Sequence, residues 1–399
     1  MDALIVSPVL PTGRVFGQSI ATRSDVQAFR DIGMSVGVFA YTHNNAERVS
    51  QDDCPTVATI VKSGGFGARF VRGLKSPWPP SIERFYHVEA EASLRRCLVD
   101  WNPTIVVIDD ISVGGWIDLI REVRPQAKVV VRSMNVMADV RQAHLNRLNF
   151  VTKFAVRLEL ARYIEFERGC LAACDAHWAI TAEDGMRMTE LYGVPSEHLP
   201  VALPLAAYTT LPLAAGGDDV FVHIGSIDYR RMQDFRDFMA KTWDEICRIN
   251  TNAKLLLAGE MQSQYIPTSP NVEVLGIVKD DVAVYRKGRY SVNFQTSTGG
   301  LKIKSLTSLA AGRILLSTTM GVEGMPVEHG VHFLNIQTLL ATGTMADAIA
   351  DSDSLRMIAQ AGRDWVCSNH SGPAVARQLA KLIGPHRDKR TGMDLASTA

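Results

Sequence analysis

Gly299 and Gly300, with Lys302 and Lys304 close behind at the entry to a helix, form a combination suited to binding anions. Glycines let the backbone approach a phosphate, and the first turn of a helix offers unpaired N–H groups and the positive end of the macrodipole. Lysines there oppose the dipole by a few tenths of a kcal/mol to about 1 kcal/mol, so a docked anion would make sense of them. An ordinary crossover helix with solvated lysines is the alternative. A second pair, Asp109 and Asp110, closes the β-branched run TIVVIDD. Two carboxylates at the carboxyl end of a strand stand where α/β sheets bind ligands, although either could instead cap the helix that follows.

The elements that must position these groups repeat one plan. Residues 291–325, SVNFQTSTGGLKIKSLTSLAAGRILLSTTMGVEGM, read as a strand, a polar glycine-rich turn, an apolar-periodic helix over 301–311, a stop at Gly312 and a second strand over 314–317. The chain opens in the same way. A strand over 3–9 leads into a Gly/Pro loop over 11–17, a helix over 19–32 and a strand over 35–41. Further strands fall at 104–110, 128–132 and 177–181, with helical patterns over 83–100 and 146–174. Residues 205–218, LAAYTTLPLAAGGD, are small, apolar and without period, and read as a linker. Beyond it a strand over 220–224, a helix over 234–249 and a strand over 254–258 start the plan afresh. The expected architecture is α/β, two Rossmann-like doubly wound domains over 1–204 and 219–384, with a polar, disordered tail over 385–399.

Bulk properties narrow the function. The chain has 399 residues, 46% hydrophobic and 21% charged, which suits two globular domains. Its 42 basic and 42 acidic residues cancel, which argues against nucleic acid as a partner. The six cysteines are scattered and show no zinc spacing, so reduced thiols and no metal are expected. Neither a signal peptide nor an apolar run of membrane-spanning length is evident, and a cytoplasmic location is expected. The stretch 62–82, KSGGFGARFVRGLKSPWPPSI, interleaves basic and aromatic residues. It suits either a solvated loop or peripheral contact with the inner face of a membrane. No Gly-x-Gly-x-x-Gly follows the first strand, which argues against a dehydrogenase.

The run GGLKIKSLTSLAAGRILLSTTMGVEGM resembles the nucleotide-sugar-binding segment of retaining glycosyltransferases of family 4, which have the GT-B architecture of two Rossmann-like domains facing a cleft. Gly299 and Thr307 stand where that family carries two glutamates. The resemblance implies a donor site that includes Gly299, Gly300, Lys302, Lys304, Thr307 and Glu323 of Gly-Val-Glu-Gly. It also implies a basic residue after the first strand of the second domain, for which Arg230 and Arg231 are available. In the first domain it implies a strand-end group near the anomeric carbon, for which Asp109 is the nearest match and Asp110 its neighbour. A loop of Gly13, Arg14 and Gly17 would face acceptor or phosphates. Arg132 and Asn135 match an Arg-x-His-Asn-Val-Glu pattern in which Met134 and Met137 replace the histidine and glutamate. The terminal helices, in such folds, cross back to the first domain.

The function so implied is metal-independent transfer of a sugar from a nucleotide-diphosphate sugar, with no other cofactor, to a glycan or lipid-linked acceptor in polysaccharide or surface-glycan assembly. A catalytically silent homologue that binds a partner, and a sugar-nucleotide epimerase, are the alternatives.

Overall fold

The computed structural model describes residues 1–11, 17–42, 55–61, 76–145, 150–214, 219–228, 231–261, 269–296 and 301–384. The chain divides into two compact units, Met1–Ala202 with the segment from Gly372, and Leu203–Ser371.

In the first unit the strands are β1 (Ala3–Ser7), β2 (Val36–Thr42), β3 (Thr56–Ile60), β4 (Ile105–Asp109), β5 (Lys128–Ser133), β6 (Ala176–Ala179) and β7 (Glu197–His198). They pair in parallel in the order β3-β2-β1-β4-β5-β6-β7. Every residue of β1 and β4 is buried, as continuous β-branched runs require when helices cover both faces of a parallel sheet. Val26 and Phe29 of the helix Gly17–Asp31 and Val375 and Leu379 of the helix Gly372–Ile383 pack on one face against Ile5, Val107 and Val130. Leu94, Ile120 and Tyr163, from the helices Val88–Trp101, Ile117–Val123 and Phe150–Ala173, pack on the other. The order reverses between β1 and β4, and the carboxyl ends beside such a reversal are where open α/β sheets bind ligands.

The second unit repeats the design with β8 (Val220–Ile224), β9 (Lys254–Ala258), β10 (Val272–Gly276), β11 (Tyr290–Asn293), β12 (Ile314–Ser317) and β13 (Leu334–Asn335). All pair in parallel, in the order β10-β9-β8-β11-β12-β13. The helix Ile303–Ala310 crosses from β11 to β12. Two glycines fix the ends of β8 and β9. Gly225 (φ +146°) and Gly259 (φ +142°) adopt backbone that L side chains rarely take, and a Cβ on Gly259 would lie 2.4 Å from the Gly225 carbonyl oxygen. Gly259→Ala is therefore expected to cost at least about 1–3 kcal/mol from backbone strain, read as a lowered Tm in thermal melts.

Residues 205–218 differ from expectation where they are described. Leu205–Thr209 is a short helix of the second unit, Tyr208 is buried, and its hydroxyl donates to Asp281 Oδ2 at 2.7 Å. Arg363 Nη2 holds the Leu211 carbonyl at 2.8 Å. The small apolar residues there serve packing, which composition alone does not distinguish from flexibility. Of the basic-aromatic stretch, residues 62–75 lie outside the described residues, as does the tail 385–399. Trp78 turns inward and stacks on Tyr86 with ring centres 4.2 Å apart. No helix among the described residues is long and apolar enough to cross a membrane.

Candidate functional site

In the second unit the carboxyl ends of β8 and β11 gather cations. Lys302 precedes the first turn of the helix Ile303–Ala310, is buried, and places Nζ 3.0 Å from Glu323 Oε2. Lys304, one turn position on, runs across Gly225. A Cβ there would meet Lys304 Cδ at 3.8 Å and Nζ at 3.9 Å, ordinary contact distances that place the lysine stem beside the end of β8. Arg231, at the head of the helix Met232–Asp237, reaches Asp234 at 4.0 Å. Burial, then the charges of Arg231 and Lys302, push the Lys304 ammonium down to about 7, with Asp234 opposing. A half-buried lysine crowded by two further cations is poorly stabilised as it stands, and an anion between them would restore its charge.

Several polar groups that frame this cluster have only weak sequence signals. Asn293, the last residue of β11, donates from Nδ2 to Ser305 Oγ at 2.8 Å and to the Gly321 carbonyl at 2.9 Å. Ser305 Oγ donates to the same carbonyl at 2.6 Å. These bonds tie the strand end and helix start to the Gly321-Val322-Glu323-Gly324 turn, which carries Glu323 to Lys302. His223, a single histidine in an otherwise apolar strand, donates from Nδ1 to the Val292 carbonyl at 2.9 Å and stacks on Phe294. Burial and Lys304 push it down to about 3, so it is neutral. Thr307, expected to face a donor, is buried against the helix Asp281–Lys287 instead. Its Oγ1 lies 2.9 Å from the Tyr285 hydroxyl and donates to the Lys304 carbonyl at 3.1 Å. The short threonine side chain reaches only its own turn and that tyrosine.

In the first unit the two neighbouring aspartates part company. Asp109 is fully buried, and its Oδ2 accepts from Thr22 Oγ1 at 2.5 Å. Burial, then the charge of Asp25, push its carboxyl up to about 7. Arg132, in register with Asp109 on the adjacent strand, is also fully buried. Its Nε donates to Asp25 Oδ2 at 2.8 Å and its Nη1 to the Leu199 carbonyl at 2.7 Å. Expected at a catalytic centre and a phosphate loop, Asp109 and Arg132 thus belong to an interior network that joins β4 and β5 to the helix Gly17–Asp31.

Asp110 is placed differently. Its backbone takes φ +94°, one of two positive values among the described non-glycine residues, the other being the helix-ending Asn102. The half-buried side chain accepts from the Ser112 amide at 2.8 Å. It lines a cavity of about 410 Å³ with Ser81, Arg84, Phe85, Arg141, Glu159 and Tyr163 among its walls. Asn135 is half-buried in the turn between β5 and the helix Met137–Leu145, and Gly17 is the exposed first residue of its helix. Gly13, Arg14, Arg230, Gly299 and Gly300 lie outside the described residues. No group of three or more His, Cys, Asp or Glu side chains that could hold a metal occurs among the described residues.

Comparison with known proteins gives one family match, confined to the second unit. Residues 218–352 match the family described as Glycosyl transferases group 1. No curated protein matches the chain by sequence. Among solved structures, sucrose-phosphate synthase from Thermosynechococcus elongatus superposes with a TM-score of 0.68 at 14% identity, over 96% of this chain and 98% of that one. HepE of Anabaena in complex with UDP gives 0.66 at 11% identity, over 96% and 99%. TarM of S. aureus, in complex with fondaparinux, α-GlcNAc-glycerol and UDP, gives 0.66 at 8% identity, over 96% and 100%. At such identities the superpositions speak for a shared GT-B fold.

Proposed function

With a group 1 glycosyl transferase domain at residues 218–352 on a GT-B fold, the chain is a nucleotide-sugar-dependent transferase, and from that premise we propose where its donor binds and how the sugar moves. The observation that carries the proposal is the Arg231, Lys302 and Lys304 cluster at the strand ends of the second unit. It holds the diphosphate of the donor. The bond from the anomeric carbon to the diphosphate breaks, a bond to an acceptor hydroxyl oxygen forms, and the hydroxyl proton passes to the departing diphosphate. Arg231 and Lys304 meet the negative charge that grows on the leaving group, and electrostatic stabilisation of this kind is commonly the largest catalytic contribution. Glu323 orients Lys302 and reaches toward donor hydroxyls. Asp110, whose carboxylate opens into a cavity, replaces Asp109 as the acidic group that orients the acceptor hydroxyl.

We assign retention of anomeric configuration, and a glycan or lipid-linked acceptor in surface-glycan assembly on the cytoplasmic side, on the resemblance of residues 299–325 to retaining enzymes. Because HepE and TarM are found with UDP, a uridine-diphosphate sugar is the first donor to offer. Incubation with UDP-glucose and an acceptor glycan, followed by proton NMR of the new anomeric signal, tests the reading. An axial product signal and release of UDP support it. Donor binding without turnover would favour the silent homologue, and an epimerised nucleotide sugar without any acceptor would favour the epimerase.

The position of Lys304 sets a pH dependence. In the free protein burial, then the charges of Arg231 and Lys302, push its ammonium down to about 7. A bound diphosphate favours the charged form and raises that value, so above about pH 7 binding must take up a proton. Affinity is then flat on the acid side and falls as pH rises, by up to about tenfold per unit while only the bound form stays charged. The diphosphate of a nucleotide sugar is a diester with no titration of its own in this range. UDP-glucose should therefore bind at least roughly tenfold more weakly at pH 8.5 than at pH 6.5, and a flat profile would remove Lys304 from the donor site.

A further inference from the structure

We propose that the cavity of the first unit seats an uncharged sugar ring of the acceptor, so that this chain glycosylates neutral saccharides in preference to phosphorylated or acidic ones. The inference rests on the transferase reading and names the substrate class that reading leaves open.

The charges in the wall balance, and both Nη groups of Arg141 are already engaged. Arg141 Nη1 donates to Glu159 Oε1 at 3.0 Å, Nη2 donates to Ser81 Oγ at 2.8 Å, and the guanidinium lies 3.8 Å from the centre of the Tyr163 ring. A guanidinium so clamped joins three segments of chain and does not present the open fork that grips phosphate or carboxylate. Arg84 lies over the Phe85 ring at 4.8 Å. Against these two cations stand Glu159, paired as above, and Asp110, whose carboxyl accepts from the Ser112 amide at 2.8 Å and from the Ser112 side chain. Its carboxylate repels an anionic ligand and retains capacity to accept hydroxyl donors.

Asp110 is also the wall residue whose backbone is held in a sparsely populated conformation, φ +94°. Such strain costs of order 1–3 kcal/mol and persists where the surroundings impose it, often at ligand sites. Here it turns the chain so that Asp109 enters the interior while Asp110 faces the cavity. Phe85 and Ile82 supply apolar wall for the C–H face of a ring. At about 410 Å³ the space falls within the range of small-molecule sites, roughly 300–1,000 Å³. A carboxylate to accept hydroxyls, an aromatic and aliphatic wall, and cations engaged by their neighbours together recognise a neutral polyol ring.

The test uses the full chain and saturation-transfer NMR with methyl glycosides of glucose, galactose, mannose and N-acetylglucosamine, set against glucose 6-phosphate and glucuronate. At least one neutral glycoside should bind, at least tenfold more tightly than either anion at low salt. Asp110→Asn should weaken that glycoside about tenfold and leave UDP affinity unchanged. The wild-type preference stands alone should this variant fold poorly. An anionic sugar that binds as well as the best neutral one, no neutral glycoside bound at all, or an Asp110→Asn variant with unaltered glycoside affinity each overturns the proposal. UDP binding without neutral-sugar binding sinks this inference alone. Neutral-sugar binding without UDP binding or turnover sinks the transferase reading while the cavity assignment survives.

Discussion

Lys304→Met should weaken UDP binding by about 10- to 100-fold and at the same time raise the melting temperature of the ligand-free protein. The two effects share one cause. The lysine stem is packed across Gly225 near the Phe294 ring, where burial and the charges of Arg231 and Lys302 disfavour the ammonium. Methionine keeps an unbranched apolar stem of similar reach and removes the charge, which relieves the ligand-free protein of a half-buried, crowded cation. With diphosphate present the same charge becomes an asset, since a hydrogen bond to a charged partner is worth roughly 1.5–3 kcal/mol. A structural lysine would behave in the opposite way, losing stability on substitution and leaving affinity alone. Thermal melts and a UDP titration on one preparation separate the cases, and unchanged affinity would sink the diphosphate assignment.

Arg132→Leu should destabilise the protein by about 3–5 kcal/mol, the usual cost of leaving a buried charge without its partner. Arg132 is fully buried, pairs with Asp25 at 2.8 Å, and satisfies the Leu199 carbonyl at 2.7 Å. Its removal strands Asp25 beside Asp109, two carboxyl groups that burial already pushes up. The double variant Arg132→Leu with Asp25→Leu should recover a large part of the loss, because replacing both members of a buried pair by apolar residues is often close to neutral. Urea unfolding of the single and double variants measures this directly. A loss under about 1 kcal/mol in the single variant would mean the pair does not hold β5 to the helix Gly17–Asp31.

The sequence makes the architecture legible because parallel strands buried on both faces leave continuous β-branched runs, and IVVID and ILLS need little else to be recognised. β7 was beyond that signal. It is two exposed residues, Glu197 and His198, recruited to the sheet edge by β6. β3, TVATI, lies outside the expected strands although four of its five residues are β-branched. The helix over 232–249 was visible as a period, but its π turn at Phe238–Trp243 was not, because one extra residue in a turn barely disturbs an apolar stripe.

At the candidate site the lysines were legible from their placement after two glycines. Which of two adjacent aspartates faces solvent was not. Side chains i and i+1 of a strand point to opposite faces, and the positive φ at Asp110 that resolves the matter is a property of the fold. Arg132 and Thr307 occupy positions where a family pattern expects ligand contacts, and both are claimed by neighbours, Asp25 and Tyr285, that lie far from them in the chain.

The central claim is that Arg231, Lys302 and Lys304 form a diphosphate site on a sugar-transferring enzyme. Calorimetric titration of the full chain with UDP-glucose at pH 6.5, repeated on the Arg231→Ala variant, addresses it most directly. One saturable site is expected in the wild type and a loss of roughly tenfold or more in the variant, in line with about 1.5–3 kcal/mol for a charged hydrogen bond. Equal affinity in the two proteins would contradict it.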